Sequence, residues 1–263
     1  CVVVIDGEGN IVETWDQWDS MWVKPHAVHV NPFDPDKHIW IVDDFAHAIY
    51  KFTNDGKEIV QTLGVPNEPG QDEHHFARPT FMAFSEDAIF VTDGYVNSRV
   101  MKFDHDGNYL MQWGQEGVLP DDVRPGYFNA LHGIDIDLES GRVYVSDRQN
   151  NRLQQHDLEG KFLRTIDAGL GRPCAADIHG DLLAVGELDG RVSLYDKDYK
   201  LISRLGDEHK ERRKASNQVA PEHWHAGDLI AVHGCTFDAK GDLYAQEWNV
   251  HGRVTRYTRV EAK

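Results

Sequence analysis

LHGIDIDLESGRVYVSDRQNNRLQQHDLEGKFLRTIDAG, residues 131–169, decides the fold. It divides into four pieces, LHGIDIDLESG, RVYVSDRQNN, RLQQHDLEG and KFLRTIDAG. Each carries the period-two alternation of a short strand and closes on Gly, Asp or Asn, the residues of tight turns. The same four-piece unit recurs on both sides. Upstream lie KPHAVHVNPFDPDK–HIWIVDDFAHA–IYKFTNDG–KEIVQTLG and RPTFMAFSED–AIFVTDGYVNS–RVMKFDHDG–NYLMQWG. Downstream lie RPCAADIHG–DLLAVGELDG–RVSLYDKDY–KLISRLG and a three-piece unit, AVHGCTFDAKG–DLYAQEWNVHG–RVTRYTRV.

A four-stranded unit of about 40–55 residues, repeated, is the pattern of a β-propeller blade. With the strands named A to D, the opening CVVVIDGEGNIVETWD matches only a C and a D strand. The expectation is an all-β, six-bladed β-propeller with the N-terminal strands of its first blade missing from this chain. It would be a single domain over 1–263, with a partial blade at 1–18 and blades at 19–64, 76–114, 128–169 and 170–206. A polar insert at 207–228 and the last blade at 229–263 complete it. A five-bladed ring, closed by the N-terminal strand joining the last blade, is the alternative.

A chain of 263 residues with 40% hydrophobic and 10% aromatic content can bury a sizeable core. Its net charge of −17 argues against nucleic acid or an anionic membrane as partner, since both attract cationic surfaces. Three widely spaced cysteines, Cys1, Cys174 and Cys235, form neither a disulfide framework nor a CxxC metal site. No run approaches the length of a membrane span. No signal peptide is visible before the apolar VVVI, and the compartment stays open.

Aligning the A strands places one residue of each unit at a single repeat position: His26, Thr80, His132, Cys174 and His233. A strands line the axis of a propeller, so these residues should converge. The three histidines fall on alternate blades, which lie about 120° apart in a six-bladed ring. Three imidazoles meeting in this way form the ligand set of a catalytic Zn²⁺ site with an open position. His74-His75 and His223-Trp-His225 lie in polar inserts, and Lys210–Lys214 reads as a solvated turn. Asp104–Gly107 reads as a hairpin turn rather than a calcium loop.

The units resemble NHL repeats, through HGI…D…GRVYV-D-R-x-N-x-R. DGYVNSR, residues 93–99, narrows the resemblance to the peptidyl-α-hydroxyglycine α-amidating lyases and their bacterial relatives. That resemblance implies a six-bladed propeller and a Zn²⁺, or another divalent metal, held by His26, His132 and His233. It implies Tyr95 as the catalytic base and Arg148, in SDRQNNR, near the pocket, where a guanidinium can grip an anionic group. Two positions depart from the family: its other catalytic Arg falls in a region this chain lacks, and Gly234 stands where the lyases carry Asp after the last metal His.

The implied activity is cleavage of a C–N bond in a small hydroxylated amide, with a small-molecule or peptide-like substrate. Two alternatives stay open: a non-catalytic NHL scaffold binding a protein partner through a propeller face, and a propeller lactonase or esterase.

Overall fold

The computed structural model describes residues 2–120, 124–167, 169–207 and 215–260. Four antiparallel sheets carry four strands each, in sequential order. Blade 1 consists of Pro25–Val30, Ile39–Asp43, Ala48–Phe52 and Ile59–Leu63. Blade 2 consists of Phe81–Phe84, Ile89–Asp93, Arg99–Phe103 and Tyr109–Trp113. Blade 3 consists of Leu131–Asp137, Arg142–Asp147, Arg152–Asp157 and Phe162–Asp167. Blade 4 consists of Pro173–His179, Leu182–Glu187, Arg191–Tyr195 and Leu201–Leu205. Blade 5 holds three strands, Val232–Phe237, Leu243–Glu247 and Arg253–Tyr257.

At the front, Val3–Ile5 and Ile11–Thr14 pair with each other in a separate two-stranded sheet. Among the described residues they do not join blade 5, so the five-bladed closure is not adopted. The two strands are themselves exposed, and it is the residues flanking them that pack on blade 1. Trp15, just after the second strand, is buried with Ile41, Tyr50 and Phe52. Its indole lies against Gly56, where a Cβ would stand 2.2 Å from the ring, so the NDG turn accepts no other residue.

Alternation explains the stacking. Each sheet turns one apolar face to each neighbour, and the inner strands are therefore buried on both sides. Trp40, Val42 and Ile49 of blade 1 meet Met82, Ile89, Val91 and Met101 of blade 2. Phe90 and Val100, on the other face of blade 2, meet Ile134, Val143 and Val145 of blade 3. Cores of the same kind join blade 3 to blade 4 and blade 4 to blade 5. The core is thus a ring of interfaces between sheets, and the outer D strands are left half-exposed.

A carboxylate ends every B strand: Asp43, Asp93, Asp147, Glu187 and Glu247, all at most 2% exposed. Each accepts a backbone N–H from the segment leading into its own A strand: Val23 and Lys24, Ala77, Asn129, Gly171, and Ile230 with Ala231. In blades 2 to 5 it also pairs with the first arginine of the C strand, Arg99, Arg152, Arg191 and Arg253. A buried charge is tolerated only when paired and hydrogen-bonded. This repeated anchor fixes where each A strand starts, and so where the axial residue of each blade stands.

Candidate active site

The A strands bring His26, His132 and His233 together on the axis. One ring nitrogen of each lies within 4.8 Å of those of the other two, and the ring centroids are 4.6 to 4.9 Å apart. The Phe81 ring packs against all three, giving the cluster an apolar wall. Two residues at the same repeat position orient the imidazoles. His26 Nδ1 lies 2.8 Å from the carbonyl of Thr80, and His132 Nδ1 lies 2.7 Å from that of Cys174. A carbonyl can only accept, so in both rings Nδ1 carries the proton and Nε2 keeps its lone pair.

All three histidines are neutral near pH 7. Burial pulls His26 down to about 4 and His233 to about 3, and holds His132 well below the ordinary value, with neighbouring imidazoles and Arg148 adding to the effect in the last two.

Tyr95 is the fourth member. Its hydroxyl lies 3.0 Å from His26 Nε2 and 3.1 Å from His132 Nε2, while Arg148 Nη1 donates to the same oxygen at 3.2 Å. One phenol proton cannot serve two nitrogen lone pairs. The cluster therefore offers more acceptors than donors, which is the condition a cation satisfies. Three neutral imidazoles, two of them oriented by backbone carbonyls, fit a divalent metal of the zinc type.

The joint carrying Tyr95 is built for close approach. Asp93 pairs with Arg99 across it, leaving five residues, 94–98, where blades 1 and 3 have four, 44–47 and 148–151. A Cβ on Gly94 would stand 1.8 Å from the carbonyl oxygen of Leu131, so only glycine lets the joint pass so near blade 3. Asn97 ties the loop down by donating to Gly70 O and to Asp93. Burial raises the Tyr95 phenol above its usual value, and Arg148 opposes that rise through charge and hydrogen bond.

Arg148 stacks at 4.9 Å on the Tyr95 ring. It makes no ion pair with a carboxylate among the described residues, and its buried Nε has no partner. It is thus not a blade-to-blade salt bridge. Cys174 contributes its carbonyl, while its thiol is buried, free and pushed up to about 11 by desolvation.

The other histidine pairs stay outside the site. His75 bonds to Asp72 in the insert before blade 2, and His223 and His225 are exposed. Lys210–Lys214 lies outside the described residues. Asp104–Gly107 is a hairpin turn, with Gly107 N donating to Asp104 O at 3.1 Å.

Residues that sequence reasoning passed over surround the mouth. Arg78, two positions before Thr80, and Lys24, two before His26, both meet Asp44. The signal was present as a repeated basic residue before proline in KPH, RPT and RPC.

A cavity of about 560 Å³ continues along the axis from His26, lined by His29, Asp135, Asp177, Thr236 and Gln246 among others. Burial raises both carboxyls, Asp177 to about 6 and Asp135 well above the ordinary value, and their mutual repulsion adds to the rise in Asp135. A raised carboxyl pKa means the folded state holds more protons than the unfolded one between about 4 and 6. Stability then declines as pH rises through that window. Asp177→Asn removes the repulsion and still accepts from Phe237 N–H. It should raise the melting temperature at pH 8 by a few degrees, on the order of 1 kcal/mol, with the gain fading by pH 4.5 in paired thermal melts.

Residues 70–184 match a family model described as a 6-bladed beta-propeller. The chain is 35% identical over 160 residues to the peptidylglycine alpha-amidating monooxygenase of Rattus norvegicus, covering 58% of this chain and 16% of that protein. It is 30% identical over 190 residues to a probable peptidyl-alpha-hydroxyglycine alpha-amidating lyase of Caenorhabditis elegans, covering 71% of this chain and 51% of that one. It thus spans about half of the nematode relative and far less of the rat one. Virginiamycin B lyase from Staphylococcus aureus shares the fold, with a TM-score of 0.57 at 16% identity, over 92% of this chain and 68% of that one. By its repeats, its sheets and these matches, the chain is a β-propeller similar to the peptidyl-α-hydroxyglycine α-amidating lyases and to NHL repeat-containing proteins.

Proposed function

We infer that the chain is a metal-dependent lyase that cleaves the C–N bond of an N-acyl-α-hydroxyglycine or a closely similar hydroxylated amide. The observation that carries this reading is the Tyr95 hydroxyl, held between two imidazole nitrogens of the triad and the Arg148 guanidinium. His26, His132 and His233 would hold the ion. A divalent cation there would supply a Lewis acid that lowers the pKa of a hydroxyl placed beside it.

The protein's own groups account for the proton traffic. Tyr95, as phenolate, takes the proton of the carbinol hydroxyl. The freed electron pair forms the carbonyl of an aldehyde such as glyoxylate, and the C–N bond breaks. The departing amide nitrogen takes the proton back from Tyr95, giving a primary amide. Arg148 favours the phenolate by charge and hydrogen bond, which opposes in part the burial that raises the phenol. The Phe81 wall limits access of water from its side, favouring elimination over hydrolysis.

Zinc-loaded protein incubated with N-benzoyl-α-hydroxyglycine should release benzamide and glyoxylate in equal amounts, followed by proton NMR. Benzoic acid in place of benzamide would indicate a hydrolase. No turnover above the protein-free rate would leave a binding scaffold.

A further inference from the structure

The mouth of the site carries more positive charge than its walls neutralise. Lys24, Arg78 and Arg148 all act electrostatically on His26, and Asp44 is the one carboxylate that pairs with any of them among the described residues. With the buried Asp43, which accepts the Lys24 backbone N–H, three cations against two anions leave a local surplus of one positive charge on a chain whose net charge is −17.

Arg78 is the most constrained of the three. Its Nε and Nη2 donate to the two oxygens of Asp44, each at 3.0 Å, and Asp44 is fully buried. Its guanidinium lies 4.2 Å from the Phe45 ring centroid and 4.6 Å from that of Tyr95. Lys24 reaches the same Asp44 at 3.8 Å and stands over Phe45 at 4.8 Å. Bidentate pairing and double stacking fix the guanidinium plane, and Nη1 is left without a partner among the described residues. The backbone is committed as well: Arg78 sits at φ 65, a left-handed conformation uncommon outside glycine, with its N–H donating to His47 Nδ1. A fixed guanidinium with a free edge, beside a catalytic phenol, is preorganised for an anion.

We propose that Arg78 is a specificity residue that holds the carboxylate of the substrate, with Asp44 and Phe45 setting its orientation. This rests on the reading of the cluster as a substrate site but not on the reaction run there. The surplus charge also draws anionic substrates toward the mouth against the field of an acidic protein. Arg148, bonded to the phenol oxygen, is left to the reacting end.

The test measures binding rather than turnover. Hippurate, an N-acylglycine that lacks the hydroxyl and cannot be cleaved, and its neutral methyl ester are titrated calorimetrically into zinc-loaded protein. In Arg78→Gln, hippurate affinity should fall roughly 10- to 100-fold, the worth of a charge-assisted bond, while ester affinity changes less than about twofold. Arg78→Lys, which keeps the charge, should recover part of the loss, and added salt should weaken hippurate but not ester. Equal losses for acid and ester in Arg78→Gln would make Arg78 a structural partner of Asp44 only. Failure of wild-type protein to prefer hippurate over its ester would also overturn the proposal. A carboxylate preference that depends on Arg78 supports it even if hydroxylated substrate is not turned over, an outcome that counts against the lyase reading alone.

Discussion

His132→Ala should lose stoichiometric metal, where wild-type protein purified without chelator should carry about one divalent ion per chain. His132 is the fully buried member of the triad, and its Nδ1–H is committed to the Cys174 carbonyl. That bond fixes the ring and directs Nε2 inward, the arrangement by which an outer partner tunes a metal-bound histidine. Two remaining imidazoles lack the third nitrogen that distinguishes a protein site from adventitious binding. Elemental analysis after gel filtration reads the effect directly, with a far-UV spectrum to show that the sheets survive. Turnover should fall to background in the same variant. Wild-type metal content in His132→Ala would remove the triad as the site.

Tyr95→Phe should separate metal from chemistry. The variant keeps the ring between Arg78 and Arg148, and so keeps both cation–π contacts. Only the oxygen goes, and with it the group that carries the proton. General-base contributions are typically about 10²- to 10⁴-fold, and kcat should drop by that order while KM moves by less than about threefold. Metal content should remain at the wild-type value, because Tyr95 is a neighbour of the ligands rather than one of the three. Loss of metal together with activity would instead make the phenol oxygen part of the metal's ligand set. Undiminished kcat would remove Tyr95 from the reaction.

The blades were readable before any coordinates because their information is local. Alternation in VYVSD or IFVTD and turns such as HDG and LEG act over a few residues, and fivefold repetition makes each weak signal a strong one. Repetition also exposed the axial position, since equivalent residues of a closed ring must approach one axis. The same register predicted the convergence of His26, His132 and His233. The joint of DGYVNSR, one residue longer than those of blades 1 and 3, brings Tyr95 to two of the imidazoles.

Pairings across blades were not readable. Arg78 and Asp44 lie 34 residues apart on neighbouring blades and carry no mutual pattern. The carboxylates that end the B strands are visible as a column of Asp and Glu. Their task of pinning the backbone that leads into their own A strand follows only from burial, which no single strand reveals. The surroundings of Arg148 were no more readable: it bonds to Tyr95, 53 residues away, and pairs with no carboxylate among the described residues.

The sequence by itself determined the all-β repeat and put three histidines at one repeat position, because strand alternation, turn chemistry and repeat register are written along the chain. Only the tertiary structure decided which ring nitrogens face inward, which cations lack a counter-charge and which guanidinium has a free edge. Those properties depend on distance and desolvation between residues that the chain itself keeps far apart.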